Sequence, residues 1–185
     1  MPAKNQCKRQ RDFFDTCSKC KTNWSCCRET TPPITGKRRK IIESFLKRNS
    51  VLIKNPFVQT EYVFPRLDKD GYCVFHYRKT RKCLVHSVKP ETCVAGPITF
   101  DINGKTGKIE WFIKKEEICP LAKHVYEDKA ILQMHLGSAK KELSRLVKQL
   151  GSGALCAILR KDEPATFKID ENTIGEELSN KIKSC

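Results

Sequence analysis

No uninterrupted apolar run in the sequence approaches the roughly 18 residues that a membrane-spanning helix needs. The first ten residues, Met1 to Gln10, are polar and basic, and no apolar stretch follows them as one would behind a secretory signal. The expectation is a soluble, cytoplasmic chain whose thiols stay reduced. A Ser-His-Asp order, a glycine-rich phosphate loop and an H-E-x-x-H motif are all missing, which leaves hydrolase, nucleotidase and metalloprotease chemistry without local support. There is no internal repeat or low-complexity segment. Acidic residues are scarce: 21 Asp and Glu stand against 36 Lys and Arg, for a formal charge of +15.

Length and composition then set the scale. At 185 residues, 39% of them hydrophobic, the chain is neither compositionally disordered nor too short for a real core; it fits one domain, or a domain with a modest appendage. Cysteine is abundant, with 11 in all. An odd count argues against a complete set of intramolecular disulfides, and paired cysteines in a reducing compartment are more often metal ligands or redox groups than staples.

Along the chain, residues 1 to 36 hold Cys7, Cys17, Cys20, Cys26 and Cys27 among polar residues and Thr31-Pro32-Pro33, and read as loop held by something other than a core. From Gly36 to Asn49, Ile41, Ile42, Phe45 and Leu46 recur at helical spacing opposite Lys37, Arg38, Arg39, Lys40, Lys47 and Arg48, a basic amphipathic helix. Glu61–Arg66 and Tyr72–Tyr77 flank the turn residues Asp68-Lys69-Asp70-Gly71 and suggest a hairpin, with a short strand at Lys82–His86. Pro90 suits the start of a single helical turn. A second hairpin is expected from Pro97 to Ile113, with Asn103 to Gly107 as its turn. Leu121 to Leu150 reads as one long helix, or two with a break near Gly137, stopped by Gly151. Ala154–Leu159 and Thr166–Ile169 look like a final strand pair, followed by a short helix from Ile174 to Ile182.

Eight cysteines form a spaced set: Cys17-x2-Cys20-x5-Cys26-Cys27, then Cys73-x9-Cys83-x9-Cys93, then Cys119. A C-x2-C pair suits chelation because two residues of slack let both sulfurs converge on one ion or cluster. In the vicinal pair Cys26-Cys27, neighbouring Cα atoms lie about 3.8 Å apart and adjacent side chains tend to diverge, so the pair could feed two sites or two metals of one polynuclear site. Eight thiolates also divide into two tetrathiolate sets, the number used by structural zinc and by cubane iron–sulfur clusters. Cys156, in the apolar stretch Ala154–Leu159, reads as core, while Cys7 and Cys185 lie near termini expected to fray.

Phe14-x2-Cys17-x2-Cys20 leading to Cys26-Cys27, then Gly71-Tyr72-Cys73-Val74-Phe75, then Cys83-Leu84-Val85-His86-x2-Lys89-Pro90-x2-Cys93, then Cys119-Pro120, resembles the YkgJ-type CxxCxxCC cysteine-cluster family over about residues 13 to 125. The resemblance implies zinc or iron chelation, with Cys17, Cys20, Cys26, Cys27, Cys73, Cys83, Cys93 and Cys119 as ligands by motif position. A related cysteine cluster occurs in the flagellin lysine methylase. Two departures bear on loop geometry: five residues rather than two precede the vicinal pair, and Lys89 stands where Arg is usual.

Thiolate donors suit both zinc and iron–sulfur clusters. The vicinal pair and the set of eight favour an iron–sulfur cluster, expected as 4Fe-4S and as two such clusters if the set divides evenly, with zinc as the alternative. Basic surroundings would stabilise a reduced anionic cluster, which points to an electron-transfer or redox-accessory role with an acidic redox partner protein. Metal binding would also hold the loop-rich N-terminal third together, so that a purely structural metal is the competing reading. His76 and His86 neighbour Cys73 and Cys83 but read as ordinary strand histidines; His124 and His135 are taken to share one face of the long helix. Arg78-Lys79-x-Arg81-Lys82, the basic helix, and Phe57, Tyr62, Tyr72, Tyr77 and Trp111 offer a binding alternative, a zinc-stapled module for nucleic acid or an acidic protein, although charge runs are usually solvated faces. An enzyme such as a cluster-dependent methyltransferase has only the family analogy behind it. The expected architecture is α+β, with a cysteine-rich metal-stapled part over residues 1–120 and a helical, small-strand part over 121–185 packed on it.

Overall fold

A computed structural model describes residues 26–161, 165–183 and 185. The chain is α+β, with six helices and three small antiparallel sheets among these residues. The first helix, α1 (Gly36–Arg48), begins where the Thr35 hydroxyl accepts the Arg38 N–H at 3.1 Å, satisfying a donor that the helix cannot. It buries Ile42 and Leu46, one turn apart. Lys37, Lys40, Lys47 and Arg48 stay exposed on the other side.

A series of short elements follows. Strands β1 (Phe57–Gln59) and β2 (Val63–Pro65) pair with each other, as do β3 (His76–Tyr77) and β4 (Lys82–Cys83). The hairpin expected between Glu61–Arg66 and Tyr72–Tyr77 is therefore divided between two other pairings. Its turn survives, because the Asp68 carboxylate accepts the Asp70 and Tyr72 N–H groups at 2.9 and 3.0 Å, but only a single bridge, Leu67 to Cys73, joins its two arms. A 3-10 turn (His86–Val88) and the five-residue helix α2 (Glu91–Ala95) complete this part.

The main sheet runs β5 (Ile98–Asn103), β6 (Lys108–Lys114) and β7 (Thr166–Thr173), with β6 in the centre. Alternation puts Ile98, Phe100, Ile102, Ile109, Trp111 and Ile113 on its buried face. At the β5–β6 turn the Asn103 side chain accepts from Lys105 and Thr106 N–H at 3.1 Å each, as the turn composition predicts. Helices α3 (Pro120–Glu127), α4 (Lys129–Gln149) and α5 (Ser152–Leu159) supply Leu121, Val125, Leu136, Leu143, Leu146, Val147 and Leu155 to the same core. Helix α6 (Glu176–Ile182) follows β7.

Three expectations about this half are corrected. The break in the long helix falls at Asp128, whose carboxylate caps α4 by accepting from Ala130 and Ile131 N–H; Gly137 sits inside α4. His124 and His135 consequently lie on different helices. Ala154–Leu159 is helical, and β7 finds its partner in β6 instead. Cys156 is buried as expected, yet it is joined to Cys185 in a disulfide, so not every thiol is reduced and the last residue is tethered. Among the described residues, no helix is long and apolar enough to cross a membrane.

Candidate metal centre

Cys73 and Cys83 pack against a second, smaller cluster of buried side chains, Ile42, Leu46, Phe75 and Val85. Backbone pairing brings the vicinal pair to this lobe. The Cys27 carbonyl accepts the Cys73 N–H at 2.8 Å, Glu29 N–H donates to the Gly71 carbonyl at 2.7 Å, and Arg28 bridges Tyr72. Gly71 has φ of +79°, and a Cβ there would come within 3.2 Å of the Glu29 side chain. This tight crossing of the two segments requires glycine. Cys83 stands opposite His76 in the β3–β4 pair, and Cys93 rides on α2.

These thiols shift one another's ionisation. A hydrogen bond with Cys27, reinforced by the positive charges of Lys114 and Lys89, pulls the Cys26 thiol down to about 6. The same hydrogen bond, with burial and the neighbouring Cys26, Cys93 and Cys83, pushes Cys27 far above the ordinary thiol range. Burial raises Cys73 to about 12, with Cys83 and Cys26 adding to the rise. Burial likewise raises Cys83 and Cys93, and Cys26 opposes ionisation of both. Five sulfurs from four stretches of chain thus feel one another. Left alone they cannot all ionise, because each thiolate raises the cost of the next. A soft cation removes that obstacle, since thiolate is the form that binds metal and the ion's charge offsets the mutual repulsion.

Among the described residues, no three Cys, His, Asp or Glu side chains stand as a closed ligand set. Cys17 and Cys20, with Cys7, lie outside the described residues. Cys119 is the N-cap of α3 and packs against the main core.

The histidines have other surroundings. His76 stacks on Tyr72 with ring centroids 5.3 Å apart, and burial, with Arg78 beside it, lowers its pKa. Burial, with Lys89 nearby, lowers His86 to about 4. His135 lies 3.2 and 3.1 Å from the Ala95 and Gly96 carbonyls, which requires the ring nitrogen facing them to carry the proton.

The proposed stacking residues are mostly engaged. Trp111 is 1% exposed and donates to Asn172, Tyr62 is buried under Lys161, and Tyr72 is occupied by His76, Arg28 and Arg78. Arg38, counted from sequence with the solvated basic face, instead turns inward to Glu91 and Glu142. Sequence reading missed that pair of carboxylates; the one available signal was Glu91 directly after Pro90, an acidic residue in a helix's first turn.

Neither a curated protein nor a solved structure matches the chain. The model of the CxxCxxCC family, described as "Putative zinc- or iron-chelating domain", matches residues 16–120. That span takes in all eight cysteines of the spaced set and more than half of the sequence, and the protein belongs to this family of metal-chelating domains.

Proposed function

We propose that the chain is a cytoplasmic iron–sulfur protein with a redox or electron-transfer accessory role, its ligands drawn from Cys17, Cys20, Cys26, Cys27, Cys73, Cys83, Cys93 and Cys119. The observation that carries this reading is the gathering of cysteines from distant stretches of the chain: the Cys27 carbonyl pairs with the Cys73 N–H, and Cys73 and Cys83 pack on one small cluster. A vicinal pair within such a gathering suits polynuclear chemistry better than two separate zinc knots. Lys89 and Lys114, both acting on Cys26, would favour the reduced state of an anionic cluster and raise its potential. When bound, the cluster supplies one-electron chemistry; the chain supplies thiolate donors, partial burial and positive charge.

The partner best suited to such a role is an acidic protein. Lys37, Lys40, Lys47 and Arg48 form an exposed basic stripe on α1, opposite the side that packs over Cys73 and Cys83. Steering by that stripe would weaken steeply with ionic strength.

Anaerobic purification should yield a brown protein containing iron and acid-labile sulfide, with Mössbauer and EPR spectra of a cluster. Cys93→Ala should lower the iron content. A colourless protein carrying stoichiometric zinc would overturn the iron–sulfur assignment and leave a structural zinc site.

A further inference from the structure

We propose that Glu91 is a positioning residue that fixes Cys93 within the thiol cluster, through a buried clasp made with Thr35, Arg38 and Glu142. The proposal builds on the metal reading above. Its starting point is the shortness of α2: five residues cannot hold a helix unaided, so the place of Cys93 depends on what grips Glu91–Ala95 from outside.

Both ends are gripped. At the first turn, the Glu91 side chain is 1% exposed and accepts a hydrogen bond from the Thr35 hydroxyl at 2.7 Å. Arg38 Nε lies 3.6 Å from the same carboxylate oxygen, and Arg38 Nη2 donates to Glu142 at 2.6 Å. Thr35 also caps α1, so one hydroxyl sets the start of α1 and the orientation of Glu91 together. At the last turn, His135 of α4 donates to the Ala95 and Gly96 carbonyls. Helix α4 therefore holds α2 from both sides of Cys93, directly through His135 and by way of Arg38 and Glu142.

A buried carboxylate is a poor choice for stability alone. Burying charge is costly even when it is paired, and an apolar side chain of similar volume often serves as well or better. Here the cost is increased, because the second Glu91 oxygen is buried with no hydrogen-bond partner. What the ion-paired clasp adds over an apolar contact is direction: Thr35 and Arg38 fix one rotation of α2, and that rotation aims Cys93.

The test is alkylation of the metal-free protein with iodoacetamide, read residue by residue through peptide mass spectrometry, beside cobalt(II) titration followed by the thiolate-to-cobalt absorption. Glu91→Ala should speed alkylation of Cys93 with little change at Cys73 and Cys83. It should also weaken cobalt binding by about 10- to 100-fold, the usual cost of losing a group that orients a metal ligand. Glu91→Gln, which keeps an acceptor for Thr35 but loses the charge facing Arg38, should fall between. Thr35→Val should reproduce the Cys93 effect and Thr35→Ser should restore normal behaviour, which carries the test if Glu91→Ala does not fold. Glu43→Ala, at an exposed pair with Arg39, should change nothing. Unaltered Cys93 reactivity in the Glu91 and Thr35 variants, or an equal rise at all three thiols, would overturn the proposal. If the wild-type chain takes up neither cobalt nor iron, the metal reading fails, and the alkylation pattern still decides whether Glu91 fixes Cys93.

Discussion

Among the described residues, the core around the sheet of β5, β6 and β7 buries nineteen apolar side chains, whereas the cluster on which Cys73 and Cys83 pack buries four, beneath strands of two residues each. Apolar burial of the first kind can hold a fold by itself. The four buried side chains described in the lobe, with partly buried ones such as Phe45 and Phe57 around them, offer far less apolar burial to set against the entropy of ordering its segments. On the function proposed above, the two regions illustrate two ways of organising a chain: one closes on itself, while the other would be completed by a metal shared among its thiolates.

Removing the metal from the loaded protein is the strongest way to break this comparison. Structural thiolate sites contribute on the order of 10 kcal/mol to folding, so a chelator should release amides across residues 66–93 to hydrogen exchange while β5, β6 and α4 stay protected. Equal loss in both regions would show a single cooperative unit. Next in size is Trp111→Ala. This residue is 1% exposed at the centre of the main core, and its truncation should cost about 3 to 5 kcal/mol in denaturant unfolding, with the lobe failing afterwards.

Reduction of the Cys156–Cys185 bond, whose partners are 29 residues apart, should cost about 3.6 kcal/mol by loop entropy. Thermal unfolding with and without reductant measures it, and the Cys185→Ser variant should sit at the reduced value. The smallest effect is at the rim of the sheet. Lys108 and Lys168 donate to Glu171 and hold its carboxyl at about 2 rather than 4.5. A depressed carboxyl stabilises the fold above its unfolded value and loses that contribution as pH falls toward its folded one. Glu171→Gln should therefore flatten the decline of thermal stability between pH 4.5 and 2, without touching the lobe.

Much of the main core was legible. The alternation of Ile98, Phe100 and Ile102 with their partners, and the Asn103 turn, state a hairpin outright. Helix α1 declares itself through Ile42 and Leu46. Ala154–Leu159 misled because a short apolar run has no period that separates a strand from a buried helix. Gly137 misled because it attracted the break that Asp128 makes with its own carboxylate.

In the lobe the residue types were readable and the arrangement was not. Spacing named the cysteines, but the Cys27–Cys73 backbone pairing and the inward turn of Arg38 depend on contacts between distant segments that no local pattern records. The bond between Cys156 and Cys185 was hidden for the same reason.

Strand β7 arrives from the far end of the sequence to pair with β6 along its whole length, and Asn172 on it receives the Trp111 indole N–H. The match to the family model stops at residue 120, before any of this is supplied. The matched span and the length that can stand alone therefore differ: a polypeptide ended at 120 would expose β6 as a raw edge, ready to stack on its own copies. The tail after residue 120 is therefore what closes that edge in this chain.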